Sequence, residues 1–462
     1  MTEKNESKYL KLRNEYPFFI YESFDIFEDS NKIIISFNFN SSNKHFFNPK
    51  LEIPKKNINF KLNINDKKLR NIIFNIGMIE FISYWKATCS PEIIIKPYFL
   101  NDEQIGFWKK VYFNGLGEFF YKNSIKTSVK DFVNIKCLSD EKLKSNDFNV
   151  DDSYFVPVGG GKDSAVTLDI LQKAGYSVKC FVVNQRMATS ETISKSDIPE
   201  NNVFEIKRTI DKNLLKLNEE GYLNGHTPFS ALLAFLSSFA AIITGTQNIA
   251  LSNESSANEP TIADTEINHQ YSKSYEFEKD FREYFKKYIT ESVNYFSFLR
   301  PLNELQIAKL FSAKEKYFKV FKSCNTGSKT DEWCCNCPKC LFTFIILSPF
   351  ISSEKLVKIF GENLFEKANL TFYLEQLTGI SEEKPFECIG TIEEINIALN
   401  IVIKTYGNEK LPYLLQYYSK TQKINSYKNI NPEILLRQFN KMHFLPEELE
   451  KILKEQISNI EH

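Results

Sequence analysis

The apolar run Tyr154-Phe155-Val156-Pro157-Val158 passes without a spacer into Gly159-Gly160-Gly161-Lys162-Asp163-Ser164, and a helical pattern starts at once and closes at Gly175. No other stretch of the 462 residues restricts the fold as much. A strand that turns through three glycines into a helix gathers backbone N–H groups and a helix N-terminus around one point, which is a site for phosphate. The glycines allow close approach, Lys162 adds charge, Asp163 offers a metal contact and Ser164 a hydroxyl. The spacing is not the GxxxxGK[ST] of the P-loop. Nor is it a dinucleotide GxGxxG, because the acidic residue expected at the end of the next strand is Asn184.

From residue 151 to about 345, short apolar runs alternate with helical patterns: "VKCFVV", "NVFEIK", a long helix near 228–244, "NIALSN" and "YFSFLRPL". Such alternation predicts an α/β fold, a parallel sheet with helices on both faces. Ligands in these folds bind beyond the carboxyl ends of strands, where Asn184, Arg208, Asn253, Glu254 and Arg300 fall. Residues 1–150 contain "KIIISFNFN" and "PEIIIKPYF" and read as an α+β domain without a chemical motif; the polar stretch Leu138–Ser153 is the linker. The catalytic domain is expected over 151–378. Residues 379–462 carry apolar residues at helical spacing and form a mostly helical C-terminal segment.

Fifty-eight basic residues balance fifty-eight acidic ones, so the electrostatic footprint of a nucleic-acid-binding protein is missing. The most apolar segment, Ala231–Gly245, is too short to span a bilayer and reads as a buried helix. No secretory signal opens the chain, so a cytoplasmic protein with reduced cysteines and no membrane partner is expected. In that setting Cys324, Cys334, Cys337 and Cys340, spaced C-x9-C-x2-C-x2-C with Cys335 to spare, suit a tetrahedral structural Zn²⁺ site. An iron–sulfur cluster is the sharper rival.

The glycine loop resembles the SGGxDS loop of the PP-loop ATP pyrophosphatases, with Gly159 in place of the leading serine. That superfamily cleaves ATP between the α and β phosphates and leaves an adenylated substrate. The cysteine spacing is similar to the zinc site of the 7-cyano-7-deazaguanine synthases, which are PP-loop enzymes too. Between and after these lie "NGHTPFSA", "LSNESSANEP", "NHQYSKSYEFE", "FLRPLNELQIAKLF" and "KPFECIG". In this order the motifs resemble the UDP-N-acetylmuramoyl-L-alanyl-L-glutamate epimerases (MurL) of peptidoglycan synthesis, over roughly residues 150–395.

The resemblance implies ATP-dependent inversion of the terminal L-Glu of a UDP-linked muramoyl dipeptide, with AMP and pyrophosphate as products and a pathway link to an L-Glu-adding muramoyl ligase. Residues Gly159, Gly160, Gly161, Lys162, Asp163 and Ser164 would hold the phosphates with Mg²⁺, and Asn184, Asn253 and Glu254 would complete the nucleotide side. Arg186 and Arg300 would receive carboxylate or diphosphate groups. His226, His269, Lys273 and Cys388 are the candidates for proton transfer, because these residue types act as bases near neutral pH. A PP-loop enzyme acting on a nucleobase or tRNA is the second reading, and a non-catalytic ATP sensor the third.

Overall fold

The computed structural model describes residues 2–56, 58, 64, 66–262 and 267–459. Strand alternation organises the first part of the chain. In β2 (Lys32–Ser41) every second side chain is buried, and β2 pairs antiparallel with β1 (Phe18–Glu28), β3 (His45–Phe47) and β4 (Lys50–Pro54). Strands β5 (Glu92–Ile95) and β6 (Asn134–Cys137) extend the other edge of β1 in parallel. The later apolar runs become β7 (Asp151–Pro157), β8 (Val178–Val183), β9 (Val203–Thr209), β10 (Thr246–Leu251) and β11 (Asn294–Ser297), all parallel to their neighbours in this group.

These two groups form one sheet. The order is β11-β10-β7-β8-β9-β4-β2-β1-β5-β6, with β3 on β2, and the join is the antiparallel pairing of β4 with β9, where Leu51 faces Arg208. The expected parallel sheet is therefore the five-strand part of a mixed eleven-strand sheet. From β7 the chain runs outward through β8 and β9, then returns to the other side of β7 with β10 and β11. This reversal opens a crevice at the carboxyl ends of β7 and β10, where ligands bind in open α/β sheets.

Helices cover the sheet. The helix Lys67–Trp85 is buried nearly all round, packed between β1 and β2 and the helix Phe229–Thr244. At Gly77 an added Cβ would lie 1.9 Å from the Tyr21 hydroxyl, so only glycine permits this approach of helix to sheet. The helix Phe229–Thr244 is the buried apolar segment expected from the sequence, closed by Gly245 at φ 71°. No helix among the described residues is long and apolar enough to cross a membrane. The C-terminal segment is helical as expected, and Leu414, Leu415, Tyr418, Leu449 and Leu453 are buried in the same core as β7 and the helix Lys162–Lys173.

A buried ion pair ties the first helical layer to the central sheet. Arg208, at the end of β9, donates from Nε and Nη2 to both carboxylate oxygens of Glu80 at 2.8 Å each, and Glu80 is 1% exposed. Removing one partner of such a pair leaves an uncompensated buried charge. Arg208→Ala is expected to lower stability by about 3–5 kcal/mol in urea denaturation, whereas Lys32→Ala, which breaks the exposed Lys32–Glu52 pair, is expected to cost less than about 1 kcal/mol.

Candidate active site

Strand β7 delivers the glycine loop to the crevice. Gly160 has φ 88° and its Cα packs on the backbone of Ala188 and Thr189, where a Cβ would meet atoms at 3.0 Å. Its carbonyl accepts from Lys322 N at 2.8 Å, which holds the loop open over the helix Lys162–Lys173. Lys162 is buried and donates to both Asp163 and Glu304. Burial works against its charge, but the two carboxylates prevail and raise its pKa. Burial in turn raises the Glu304 carboxyl. Ser164 Oγ donates to Gly161 O at 3.1 Å, as a cap of the loop itself.

Around this loop the other expected nucleotide-side residues divide. Glu254 is buried just beyond β10, and Asn253 donates to Ser297 Oγ at 3.1 Å across the ends of β10 and β11. Arg186 reaches the loop mouth and donates to Gly159 O at 3.2 Å. Asn184 has φ 51° and exchanges hydrogen bonds with the backbone of Arg208, so its side chain finishes β8 and β9. Arg300 is wholly buried, and its guanidinium donates to Glu278, to the carbonyls of Glu254 and Lys273 and to Ser297 Oγ. It stands behind the site and shapes it, with its donors turned into the protein.

The four proton-transfer candidates converge. His226 lies in the loop before the helix Phe229–Thr244, His269 and Lys273 in the turns before the helix Tyr275–Tyr288, and Cys388 in the segment "KPFECIG". The His226 and His269 rings are 4.3 Å apart between centroids. The Cys388 thiol lies close enough to the His269 imidazole and to Lys273 for its charge to act on both. A fifth member comes from the N-terminal region: Glu118, in the helix Gly117–Lys122, accepts from His269 Nδ1 at 2.6 Å and lies 3.7 Å from His226 Nδ1. Lys122 donates to the same carboxylate.

Electrostatics separates these groups. Burial raises Glu118, but hydrogen bonds from His269 and Lys122 hold its carboxyl at about 2. Burial depresses His269, yet its bonds to Cys388 and Glu118 lift it to about 9. Burial and the neighbouring His269 charge push His226 down to about 4. Burial would raise Cys388, but Lys273 and His269 bring the thiol down to about 6. These shifts favour a thiolate, an imidazolium and a neutral imidazole side by side. Lys86, at the end of the helix Lys67–Trp85, also faces this region; it donates to Gly225 O and burial lowers it to about 8.

The cluster and the glycine loop share one wall. Gln270 Nε2 donates to Ile389 O at 3.2 Å, and Gly390 packs against Glu304, the partner of Lys162. Beside the cluster a cleft of about 780 Å³ opens between Phe113, Phe120, Tyr121, Lys126 and Ile267. Neither Glu118 nor Glu304 nor Lys86 is singled out by sequence reasoning. For Glu118 the only signal is a lone acid among aromatics with Lys122 four residues on.

The four cysteines meet as expected. The Sγ atoms of Cys324 and Cys337 are 3.8 Å apart, those of Cys334 and Cys340 3.8 Å, and those of Cys337 and Cys340 3.5 Å. Four thiolates at ~2.3 Å from one tetrahedral ion are separated by about 3.8 Å, so the set can hold a metal ion. Gly327 N donates to Cys324 Sγ at 3.1 Å, and a Cβ at Gly327 would lie 2.0 Å from Glu332 O. Cys335 turns away to Phe360 O, the spare thiol of the set.

Comparisons with known proteins point one way. A family profile described as the MurL N-terminal domain matches residues 11–298, and one described as the MurL C-terminal domain matches residues 320–429. The chain is 32% identical over 335 residues to the UDP-N-acetyl-alpha-D-muramoyl-L-alanyl-L-glutamate epimerase of Xanthomonas oryzae pv. oryzae, covering 71% of this chain and 73% of that protein. It is 33% identical to the proteins of the same name from Salinispora tropica (74% and 76% covered) and from Micromonospora sp. (72% and 75% covered).

The coupling of Glu118 to Cys388 through His269 is open to measurement. Without the Glu118 charge the His269 pKa falls, the imidazolium beside the thiol is lost at lower pH, and the Cys388 pKa rises from about 6. Iodoacetamide labelling of Cys388, followed by peptide mass, is expected to rise with pH through about 6 in the native protein. In Glu118→Gln the midpoint is expected at higher pH, with labelling at pH 6 about tenfold slower.

Proposed function

The chain belongs to the MurL family of UDP-N-acetylmuramoyl-L-alanyl-L-glutamate epimerases of peptidoglycan precursor synthesis, and we propose that it inverts the terminal L-Glu through an acyl-adenylate made at the Gly159–Ser164 loop of a PP-loop fold. The single observation that carries this reading is the shared wall: the segment with Cys388 packs through Gly390 on Glu304, and Glu304 holds Lys162 of the loop. A phosphate site and a set of proton carriers serve one substrate group.

The chemistry explains why ATP is consumed. The α-proton of a carboxylate is hard to remove because a dianion results. Converting the carboxylate to an acyl phosphate anhydride removes that charge and lets an enolate form. The loop N–H groups, Lys162 and the Ser164 hydroxyl bind the phosphates, and Arg186 at the mouth takes part of their charge. Asp163 and Glu254 would offer carboxylate oxygens to a Mg²⁺ that accompanies the triphosphate, with Glu304 holding Lys162 in place.

Inversion needs one group that takes a proton and another that gives one. His226, neutral, takes the Cα proton, and His269, protonated, returns one. Lys273 faces the developing negative charge. The cleft of about 780 Å³ beside Glu118 receives the uridine and sugar end of the substrate. The four-cysteine set would hold a structural Zn²⁺, since four protein thiolates complete a tetrahedral ligand set. The substrate comes from a ligase that adds L-Glu to the muramoyl-alanine precursor.

Incubation with ATP, Mg²⁺ and UDP-N-acetylmuramoyl-L-Ala-L-Glu in D₂O is expected to place deuterium at the glutamate Cα, with AMP and pyrophosphate formed only when the dipeptide is present. Lys162→Ala is expected to lose both. Deuterium incorporation without ATP would sink the adenylate. Elemental analysis is expected to find one zinc per chain, lost in Cys337→Ser together with thermal stability. Iron with visible absorption would overturn the zinc assignment.

A further inference from the structure

The line Glu118–His269–Cys388 has the layout of an acyl-transfer triad rather than of a simple proton relay. A carboxylate orients an imidazole by a 2.6 Å bond to Nδ1, and the Cys388 thiol lies within electrostatic reach of that imidazole on a segment that packs, through Ile389, on the neighbouring Gln270. Such triads activate a nucleophile. The Lys273 ammonium acts on the same sulfur. Cys388 is part-accessible, and its segment is pinned on both sides: Lys384 pairs with Glu259 and donates to Gly390 O at 3.2 Å, Asn325 donates to Glu387, and Gln270 holds Ile389 O. A segment held this firmly presents its sulfur at a set place. The Glu118–His226–His269 grouping has the ligand types of a metal site. However, Lys122 is bonded to its carboxylate, Lys86 faces His226, and Lys273 stands behind Cys388, a setting unfavourable to a further cation.

We propose that Cys388 accepts the glutamyl acyl group from the adenylate, so that inversion takes place on a thioester bound to the enzyme. This rests on the adenylation reading above and adds a covalent step to it. The Cys388 thiolate attacks the acyl carbon, the C–S bond forms, the C–O bond to phosphate breaks, and AMP leaves with the electron pair. The thioester still acidifies Cα. His226 takes the Cα proton and His269 delivers its own to the other face, which leaves His269 neutral. Neutral His269 then removes a proton from water as the hydroxide adds to the thioester. The C–S bond breaks, Cys388 leaves as thiolate, and the D-Glu carboxyl and His226 release their protons to solvent. Thiolate and imidazolium are thereby restored. A thiol of low pKa is a weak base toward carbon but a competent nucleophile toward an acyl anhydride.

The test separates the steps. In Cys388→Ala and Cys388→Ser, exchange of labelled pyrophosphate into ATP, dependent on the dipeptide substrate, is expected to persist, while AMP release and D-Glu formation fall by about 100-fold or more. Persistent exchange also proves the variants folded. Native enzyme quenched in acid during turnover is expected to carry the substrate mass on the Cys388 peptide, released by hydroxylamine. If either variant releases AMP at the native rate and leaves L-Glu uninverted, Cys388 is a proton carrier and the thioester is overturned. Loss of exchange along with AMP in both variants overturns it as well. Failure of the native enzyme to make AMP at all would remove adenylation first, and the thioester with it.

Discussion

A guanidinium without exposed surface holds the site in register. Arg300 leaves β11 and donates to the Glu278 carboxylate and to the backbone carbonyls of Glu254 and Lys273. Glu254 lies just beyond β10 and Lys273 in the turn that approaches Cys388, so one planar cation sets the spacing between these two segments. Glu278 fixes the guanidinium in turn and also accepts from Ser297 N at 2.9 Å. Only arginine offers enough donors in one plane to serve these acceptors together. Its seclusion is the condition for the arrangement, since a solvated cation would not hold two backbone segments at one distance.

The second constraint is charge separation within a few ångströms. His226 and His269 are neighbours with opposite protonation preferences: burial acts on both, but at His269 the close Glu118 and Cys388 outweigh it, whereas at His226 burial and the His269 charge outweigh the more distant Glu118. Glu118 is carried by the N-terminal part of the chain, and the pairing of β4 with β9 joins that part to the sheet bearing the glycine loop. The N-terminal layers thereby contribute a carboxylate to the histidine pair. Residue 118 would have no fixed relation to residue 388 without the helix packing and sheet pairing between them.

The cysteine set belongs to the same economy of position. Its helix Pro338–Leu347 begins at Cys337, and Lys339, between two of the thiols, acts electrostatically on Glu304, Glu387 and Cys388. Asn325, next to Cys324, donates to Glu387 in the segment that presents Cys388. A structural ion at the four sulfurs would stiffen the scaffold on which both the loop partner and the thiol are mounted.

The glycine loop, the alternating runs of β7 to β11, the buried helix Phe229–Thr244 and the cysteine spacing were all legible in the chain, because each is a local pattern set by period, turn geometry or ligand spacing. The motif residues His226, His269, Lys273 and Cys388 were legible as types, and they do lie together. Long-range pairing was not. Strand β1 hides its period behind a bulge near Tyr21 and Ser23, and the β4–β9 join links residues about 157 positions apart with no local mark. Arg300 reads as a ligand-binding arginine in the chain because it falls just beyond a strand, whereas its partners come from three other segments. The local chemistry of backbone and side chain determined which elements form and which groups are able to react. The tertiary structure alone decided which charges face one another, because pKa and reactivity depend on distances and burial that no spacing along the chain encodes.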